Sequence, residues 1–248
     1  MHEQTLLDAL AALPIAVGKG TPQEILSIIN NHFSDTDLLR LAQELNEVGA
    51  WANIKWEVNW VISDSPHNDI PVLRLHYKGI TKFGPVTLVR SIFKEGNCLV
   101  AHHNKLIIPE ALQKKHLSRD INGILFRYYP SLTVHKIYIK ADLQAGGYVW
   151  ARAGFSATIK GEVETILERA YKLHNEQGST ITTAYLLYMQ EIFDEHYNET
   201  PTKPFFIHHW TLNRNISREI LVKTRWNGIL DFANQDQMST FKAYLASR

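Results

Sequence analysis

The sequence predicts an α/β fold, a mixed and largely antiparallel sheet with flanking helices and helical additions at both ends of the chain. Three observations lead to this prediction. Residues 51 to 108 alternate apolar and polar side chains with a period of two, interrupted by short turns. Residues 97 to 155 continue as strand, basic turn, helix and strand. Residues 162 to 197 carry apolar side chains at helical spacing instead.

The first fifty residues predict helices. One short helix ends at Pro14, and Thr21-Pro22-Gln23-Glu24 is a strong start for a second, with a capping threonine and a proline at the first helical position. Ser34 or Asp35 caps a third helix, which carries leucines on its inward face. We therefore assign residues 1 to 50 as a helical N-terminal segment.

Four strands then follow as an antiparallel meander. The alternating runs are separated by short turns rich in Gly, Ser, Pro and Asn, which favour hairpin connections over long crossovers. The tryptophans at positions 51, 56 and 60 are predicted to pack in the core or on the sheet face. The predicted strands cover residues 54 to 62, 72 to 77, 86 to 93 and 98 to 108.

The fourth strand leads into a helix and a fifth strand. After the apolar run 98 to 108, the segment Gln113-Lys114-Lys115-His116-Leu117-Ser118 opens a helix that Pro130 ends. Residues 134 to 141 alternate again as a strand. The predicted order is therefore strand, turn, helix and strand.

The C-terminal third is predicted to be mainly helical. Residues 162 to 177 and 181 to 197 have the apolar spacing of amphipathic helices, and residues 239 to 246 form a final helix. Residues 205 to 210 and 219 to 223 are interpreted as short strands or mixed structure, and residues 226 to 231 as a turn with apolar flanks.

Composition and charge limit the class of protein. Of the 248 residues, 45% are hydrophobic and 21% charged, which is typical of a globular protein with one large or two small domains. The 26 Lys and Arg residues balance 25 Asp and Glu residues, so overall charge favours neither nucleic acid nor an anionic membrane as a partner. The single cysteine, Cys98, excludes an internal disulfide, and no apolar run has the length of a membrane span. With no secretory signal recognised, we expect a cytoplasmic protein.

The start of the central helix is predicted to bind an anion. The first backbone N–H groups of a helix lack intrahelical partners, and the helix dipole favours negative charge there. Lys114, Lys115 and Arg119 add positive charge at the same place, which suits a pyrophosphate. The alternative is a solvated first turn without a ligand.

The segment resembles the acyl-coenzyme A binding core of the GNAT superfamily of N-acyltransferases. The turn in that family reads Gln/Arg-x-x-Gly-x-Gly/Ala, and Gln113, His116 and Ser118 stand at its marked positions. A second mark, an aromatic residue four positions before Gly-Phe, is matched by Trp150 before Gly154-Phe155. This sequence departs from the family in that His116 and Ser118 replace two glycines and Trp150 replaces a tyrosine.

The resemblance implies acyl-coenzyme A, or a carrier-bound thioester, as the donor and a primary amine on a small molecule or peptide as the acceptor. It assigns residues 51 to 160 to the donor-binding core and 161 to 248 to a helical and mixed extension. An aromatic wall for a long acyl chain is a further interpretation of the tryptophans. The donor-binding residues that it implies are Leu106, Ile107, Ile108, Gln113, Lys114, Lys115, His116, Leu117, Ser118, Arg119 and Trp150.

The candidate catalytic residues are His102, His103 and Tyr148. Neighbouring strand residues point to opposite faces, so one of the two histidines must face the substrate side, where its ordinary pKa suits a proton acceptor. A structural role is the alternative for each histidine. Tyr148 is the phenol nearest in the sequence that can protonate a leaving thiolate. His208-His209 resembles half of a metal site, but no His-x-Glu-x-x-His motif or cysteine pair accompanies it, so we predict no metal.

Two non-enzymatic hypotheses stay open. The chain could keep the GNAT fold without chemistry and act as a binding or assembly module, which the replaced glycines and Trp150 favour. Alternatively, the terminal helices, including residues 162 to 197, could form a partner surface or a homodimer interface in an adaptor.

Overall fold

In a computed structural model of the chain, the residues that the structure describes are 15–17, 31, 35–48, 53–64, 71–113, 116–143 and 145–247. They belong to two compact units, Met1–Ile137 with Arg248 and Tyr138–Ser247. The predicted class, a mixed α/β fold with a mostly antiparallel sheet, is confirmed. The first two predicted N-terminal helices lie outside the described residues, apart from helical Asn31.

The first unit is built on a sheet. Its neighbouring strands pair in chain order, and the four long strands form the antiparallel meander that the sequence predicts. The short first strand pairs in parallel with the second. It follows Pro14, where the first predicted helix ends, and the sequence predicts no strand there. The strands are β1 (Ile15–Val17), β2 (Lys55–Asp64), β3 (Pro71–Thr81), β4 (Gly84–Glu95) and β5 (Cys98–Ile107), and β6 (Val134–Ala141) begins in this unit.

Aromatic side chains pack between β2 and β3. Trp60 is buried, and its Nε1 donates to the Tyr77 hydroxyl at 3.3 Å. Trp56 is half-buried, and its ring meets that of Tyr77 edge-on with 5.9 Å between centroids. The prediction that these tryptophans pack in the sheet is confirmed, whereas Trp51 lies outside the described residues.

Among the residues of this unit that the structure describes, the helices with defined bounds are α1 (Asp35–Glu47), α2 (Glu110–Gln113) and α3 (Leu117–Tyr128). The Glu44 carboxylate on α1 accepts from the Arg127 guanidinium at 2.8 Å and from the Tyr128 hydroxyl at 2.5 Å, which joins α1 to the end of α3. On α3, Ile121 and Leu125 are buried, as the apolar spacing of its sequence predicts.

The second unit is mainly helical. Within the described residues, no helix combines the length and the apolar character that crossing a membrane requires. Strands β7 (Ser156–Ala157) and β8 (Trp226–Asp231) pair antiparallel. The helices are α4 (Gly146–Arg152), α5 (Lys160–His174), α6 (Thr183–Glu199), a 3-10 helix (Ile207–Thr211), α7 (Arg214–Leu221) and α8 (Gln235–Ala246).

One prediction for the second unit is wrong, and another is resolved between its alternatives. Residues 226 to 231 form β8 and not a turn. Within β8, Gly228 allows close packing, because a Cβ at this position would lie 2.9 Å from Ile139 Cγ1. Residues 219 to 223, interpreted as short strands or mixed structure, are mixed: α7 runs through to Leu221, and a turn follows it. Asn213 begins that helix by accepting from the N–H groups of Asn215 and Ile216 at 3.1 and 3.2 Å.

The compact units separate inside β6, between Ile137 and Tyr138. The predicted limit at residue 50, where the helical pattern ends, and the limit at residue 160, which follows the family resemblance, stay predictions. Residues 205 to 210, interpreted as short strands or mixed structure, are mixed: Phe205 makes a single bridge to Ala157 before the 3-10 helix begins.

Candidate functional site

Helix α3 begins directly after a residue in the left-handed conformation. His116 has φ 62° and ψ 2°, a region that residues other than glycine seldom occupy. Its carbonyl accepts from the N–H groups of Arg119 at 2.8 Å and Asp120 at 3.0 Å, so the helical ladder starts there. Within the described part of the chain, the N–H groups of Leu117 and Ser118 have no acceptor. These donors are available to a negatively charged ligand.

The turn before α3 is tied to the end of β5. The Gln113 amide donates to the Ile108 carbonyl at 2.9 Å, which joins the end of α2 to the residue that follows β5. Arg119 is half-buried, with its Nη1 3.3 Å from His116 Nδ1. Lys114 and Lys115 lie outside the described residues, so their predicted role in phosphate binding stays a prediction.

The strand residues predicted to line the donor lie at the end of β5. Leu106 is half-buried and stands opposite Leu88 of β4, and Ile107 is exposed opposite Thr87. Ile108 follows the strand and is buried. The end of β5 therefore has accessible apolar side chains, Leu106 and Ile107, and the buried Ile108 follows them before Gln113.

Strand β5 contains a β-bulge beside its two histidines. Val89 pairs with Lys105, and Ser91 pairs with His102. Between these two pairs, β4 contributes one residue, Arg90, whereas β5 contributes the two residues that follow His102. Bulges re-aim side chains and are frequent beside active sites. The bulge lies where polar side chains occupy both faces of β5.

His103 lies on the buried face. Its ring is 4% exposed, and its Nε2 is 2.8 Å from the hydroxyl of Tyr129, the residue that ends α3. Burial holds the pKa of His103 well below its ordinary value, and the charges of Arg90 and His102 lower it further. His103 is therefore a neutral ring enclosed by protein, which is a structural arrangement.

Arg90 lies on the same face and is fully buried. Its Nη1 donates to the carbonyls of Lys105 at 2.8 Å and Val89 at 2.9 Å, and its Nη2 to Asn122 Oδ1 at 3.4 Å. No carboxylate among the described residues lies within ion-pair distance of this guanidinium. Burial lowers its pKa to about 10, so the group still carries its charge at neutral pH.

Arg90 is absent from the predicted site residues, although the sequence contains a signal for it. Val86, Leu88 and Ile92 are the buried, inward positions of β4, and Arg90 stands in the same alternating series. A charged residue at an inward position of an alternating strand requires hydrogen-bond partners in the core. The inward position of Arg90 therefore predicts, from the sequence alone, a buried polar cluster around its guanidinium.

His102 lies on the opposite face of β5, as the alternation predicts. Its side chain is half-buried, and its Nδ1 is 3.4 Å from Asn104 Nδ2. Asn104 Oδ1 in turn accepts from the Ser91 hydroxyl at 2.9 Å. Burial, and then the charge of Arg90, lower the pKa of His102. Of the two predicted histidines, His102 is therefore the one that a ligand can reach.

Tyr148 and Trp150 belong to the second unit. Tyr148 is buried on α4, and among the described residues its hydroxyl has no hydrogen-bond partner, while the Arg152 guanidinium lies 5.7 Å from its ring centroid. Trp150 is half-buried and meets Phe155 edge-on at 4.9 Å. The predicted roles of Tyr148 as an acid and Trp150 in donor binding stay predictions.

Gly154 and Phe155, which match the second GNAT motif, follow the last turn of α4 and close it. Gly154 has φ 86°, its N–H donates to Ala151 at 3.2 Å, and the N–H of Phe155 donates to the carbonyl of Trp150 at 3.2 Å. This is the Schellman arrangement, which favours glycine at the left-handed position. An added Cβ would also lie 2.9 Å from the Gln237 carbonyl oxygen.

His208 is held within the second unit by its own neighbours. Its Nδ1 lies 3.2 Å from the Ala151 carbonyl oxygen and 3.1 Å from the Thr211 hydroxyl. Across the ranges that the structure describes, no three His, Cys, Asp or Glu side chains form a group that could hold a metal ion.

No protein-family model, curated protein or solved structure matches this chain. The likeness to the GNAT superfamily therefore rests on the turn at residues 113 to 118 and the motif at residues 150 to 155. The function follows as a proposal from those residues and from the geometry around them.

Proposed function

We propose that the chain is an N-acyltransferase, which moves an acetyl or longer acyl group from acyl-coenzyme A, or a carrier-bound thioester, to a primary amine. One observation carries this proposal. His116 has φ 62° at the position where the turn of the GNAT superfamily has glycine. The backbone thus adopts the conformation that glycine favours although the side chain is that of histidine.

The local geometry suits a diphosphate. A left-handed residue followed by right-handed helical residues turns successive N–H groups towards one concave side, which is an anion-binding arrangement. The N–H groups of Leu117 and Ser118 have no acceptor within the described residues, and α3 is a 12-residue helix whose dipole adds to their effect. Gln113 holds this turn against the end of β5, along which the remainder of the donor would extend.

The reaction is balanced without a further reactant. The lone pair of the amine nitrogen attacks the thioester carbonyl carbon, and negative charge develops on the carbonyl oxygen. The C–S bond then breaks, and the thiolate leaves as the amide forms. Overall the nitrogen gives up one proton and the sulfur takes one up. The groups that the protein must supply are a cradle for the donor and a partner for the carbonyl oxygen.

One observation favours a second candidate, a donor-binding or assembly module without catalysis. His103 is buried and bonded to Tyr129, and Tyr148 is also buried. Two of the three predicted catalytic side chains are therefore enclosed by their own units. Donor binding without amine-dependent turnover is the result that would select this candidate.

A thiol-release assay tests both candidates. Acyl-coenzyme A donors of increasing chain length are combined with small amines and with peptides, in the Cys98→Ser background because Cys98 is half-buried and would react with thiol reagents. For the transferase we expect saturable thiol release that depends on the amine. Calorimetry with the same donors separates binding without turnover from no binding, and the second result would contradict both candidates.

The substitution His116→Gly tests the donor turn. Glycine adopts the left-handed conformation without the strain that histidine has there, but it also increases the backbone entropy of the unfolded chain. The net effect is expected to stabilise the protein by about 1 kcal/mol. If the turn binds the diphosphate, the smaller residue lets phosphate approach the backbone more closely. We then expect roughly tenfold tighter binding of coenzyme A, equivalent to about one added hydrogen bond.

Thr133→Gly is the matched control, because Thr133 has φ 54° in the turn after α3, away from the donor turn. This variant should gain stability without a change in coenzyme A affinity. Chemical denaturation and calorimetry on the two variants measure both effects. Equal affinities in the two variants would show that the residue 116 turn does not contact the donor.

A further inference from the structure

We propose that Asn104 holds His102 in the tautomer with its proton on Nε2, and that His102 donates this hydrogen bond to the carbonyl oxygen of the acyl donor. The tautomer follows from the side chains of the first unit alone. The contact with the acyl donor rests on the proposed function. Within that function, the inference replaces the predicted role of His102 as a proton acceptor.

A chain of hydrogen bonds assigns the proton. The Ser91 hydroxyl donates to Asn104 Oδ1 at 2.9 Å, which directs the amide nitrogen of Asn104 to His102. That nitrogen lies 3.4 Å from His102 Nδ1, and an amide nitrogen can only donate. Nδ1 must therefore accept. A neutral imidazole carries one N–H, so the proton is on Nε2.

The surroundings favour a ring with only that one proton. Among the described residues, the cationic Arg90 and the neutral His103 lie on the buried face, and uncharged Ser91 and Asn104 contact each other and His102 on its own face. On that face, the exposed cation Arg74 of β3 stands opposite Ser91. No carboxylate of the described residues shifts the pKa of His102, and a buried cation opposes a second positive charge. The half-buried position of the ring acts in the same direction.

This arrangement suits a hydrogen-bond donor and does not suit a base. With Nδ1 occupied by Asn104, the ring has no free lone pair to take the proton of the amine. Nε2–H can instead stabilise the charge that develops on the carbonyl oxygen as the amine attacks. The proton stays on Nε2 throughout, so the balance of the reaction is unchanged. His102 is then a catalytic residue, and Asn104 and Ser91 are positioning residues.

The substitution Asn104→Asp reverses the assignment with almost no change of shape. A carboxylate can only accept, so at a pH where the His102 ring is neutral it draws the proton to Nδ1 and leaves Nε2 without one. Nitrogen-15 NMR of the histidine rings reads the tautomer directly, without donor or turnover. We expect Nε2–H in the wild type and Nδ1–H in Asn104→Asp. An Nδ1–H ring in the wild type would overturn the inference.

Turnover supplies an independent measurement. In Asn104→Asp at high pH, loss of the donor should lower amine-dependent thiol release by about 10²-fold, the usual effect of losing one oxyanion partner. The new carboxylate also raises the pKa of His102, so lowering the pH through that value restores an N–H on Nε2 and with it the activity. A proton acceptor would show the opposite pH dependence, and that profile would overturn the inference.

Variants of His102 separate the two parts of the proposal. His102→Gln keeps an N–H donor and should retain more turnover than His102→Ala, while both should bind coenzyme A as the wild type does. Wild-type turnover in His102→Ala would overturn the catalytic role although the tautomer stands. If the wild type neither binds donors nor releases thiol, the proposed function fails and the catalytic role with it, whereas the NMR result still decides the tautomer.

Discussion

Replacing Gly147 with alanine is expected to lower the free energy of unfolding by about 3 kcal/mol. Gly147 lies on α4 against the end of α7, where an added Cβ would be 2.5 Å from the Leu221 carbonyl oxygen and 3.1 Å from that of Thr224. It would come closer still to the Thr224 hydroxyl. Backbone oxygens cannot turn aside as a flexible side chain can, so either α4 or the α7 end must move.

The neighbouring glycine is the matched control. A Cβ at Gly146 would meet Ala141 Cα at 3.5 Å and Leu143 Cβ at 3.8 Å, which are ordinary contacts. Gly146→Ala should leave the stability unchanged or raise it by up to about 1 kcal/mol through helix propensity. Thermal unfolding should separate the two variants by about 10 °C. Equal melting temperatures would mean that α4 shifts away from α7 at little cost.

Replacing Arg90 with methionine is expected to lower the free energy of unfolding by about 3 kcal/mol. The guanidinium supplies hydrogen bonds to the carbonyls of Val89 and Lys105 at the bulge and to Asn122 on α3, and methionine can donate none. Removing a buried cation that has no carboxylate partner among the described residues offsets part of this loss. We expect the lost hydrogen bonds to be the larger effect because several buried acceptors lose their donor together.

Two further variants make this expectation specific. Arg74→Met makes the same change at an exposed position of β3 and should alter stability by less than about 0.5 kcal/mol. Arg90→Lys keeps the charge, but an ammonium cannot span both carbonyls, so it should also destabilise. The pKa values of His102 and His103 should rise in Arg90→Met and stay low in Arg90→Lys, which NMR titration measures. A methionine variant as stable as the wild type would show that desolvation of the cation outweighs its hydrogen bonds.

The long strands could be predicted from the sequence because one side of each is buried. The predicted runs fall within β3 and β4, the run at 54 to 62 begins one residue before β2, and the run at 98 to 108 ends one residue after β5. The strand at residues 134 to 141 coincides with β6. A strand with one buried face must alternate, so its pattern is local and readable. The same argument placed His102 and His103 on opposite faces.

The second unit was harder to predict because its local signals are weak or ambiguous. Residues 226 to 231 contain Asn227 and Gly228, which favour turns in isolation. Gly228 is instead required by the closeness of Ile139 and of the Trp226 ring, and no local pattern shows those contacts. The helix α7 has only eight residues, too few for its apolar spacing to stand out.

By itself, the sequence determined the class of the fold, the meander with its following helix, and the pair of histidines whose side chains point in opposite directions. Only the tertiary structure decided what each histidine is. Alternation fixes that neighbouring side chains lie on opposite faces, but it does not say which face a helix will cover. The end of α3 encloses His103 through Tyr129, whereas Asn104 and Ser91 orient His102 on the other face. Burial, and then the charge of Arg90 at the bulge, lower the pKa values of both rings, and both effects exist only in the folded chain.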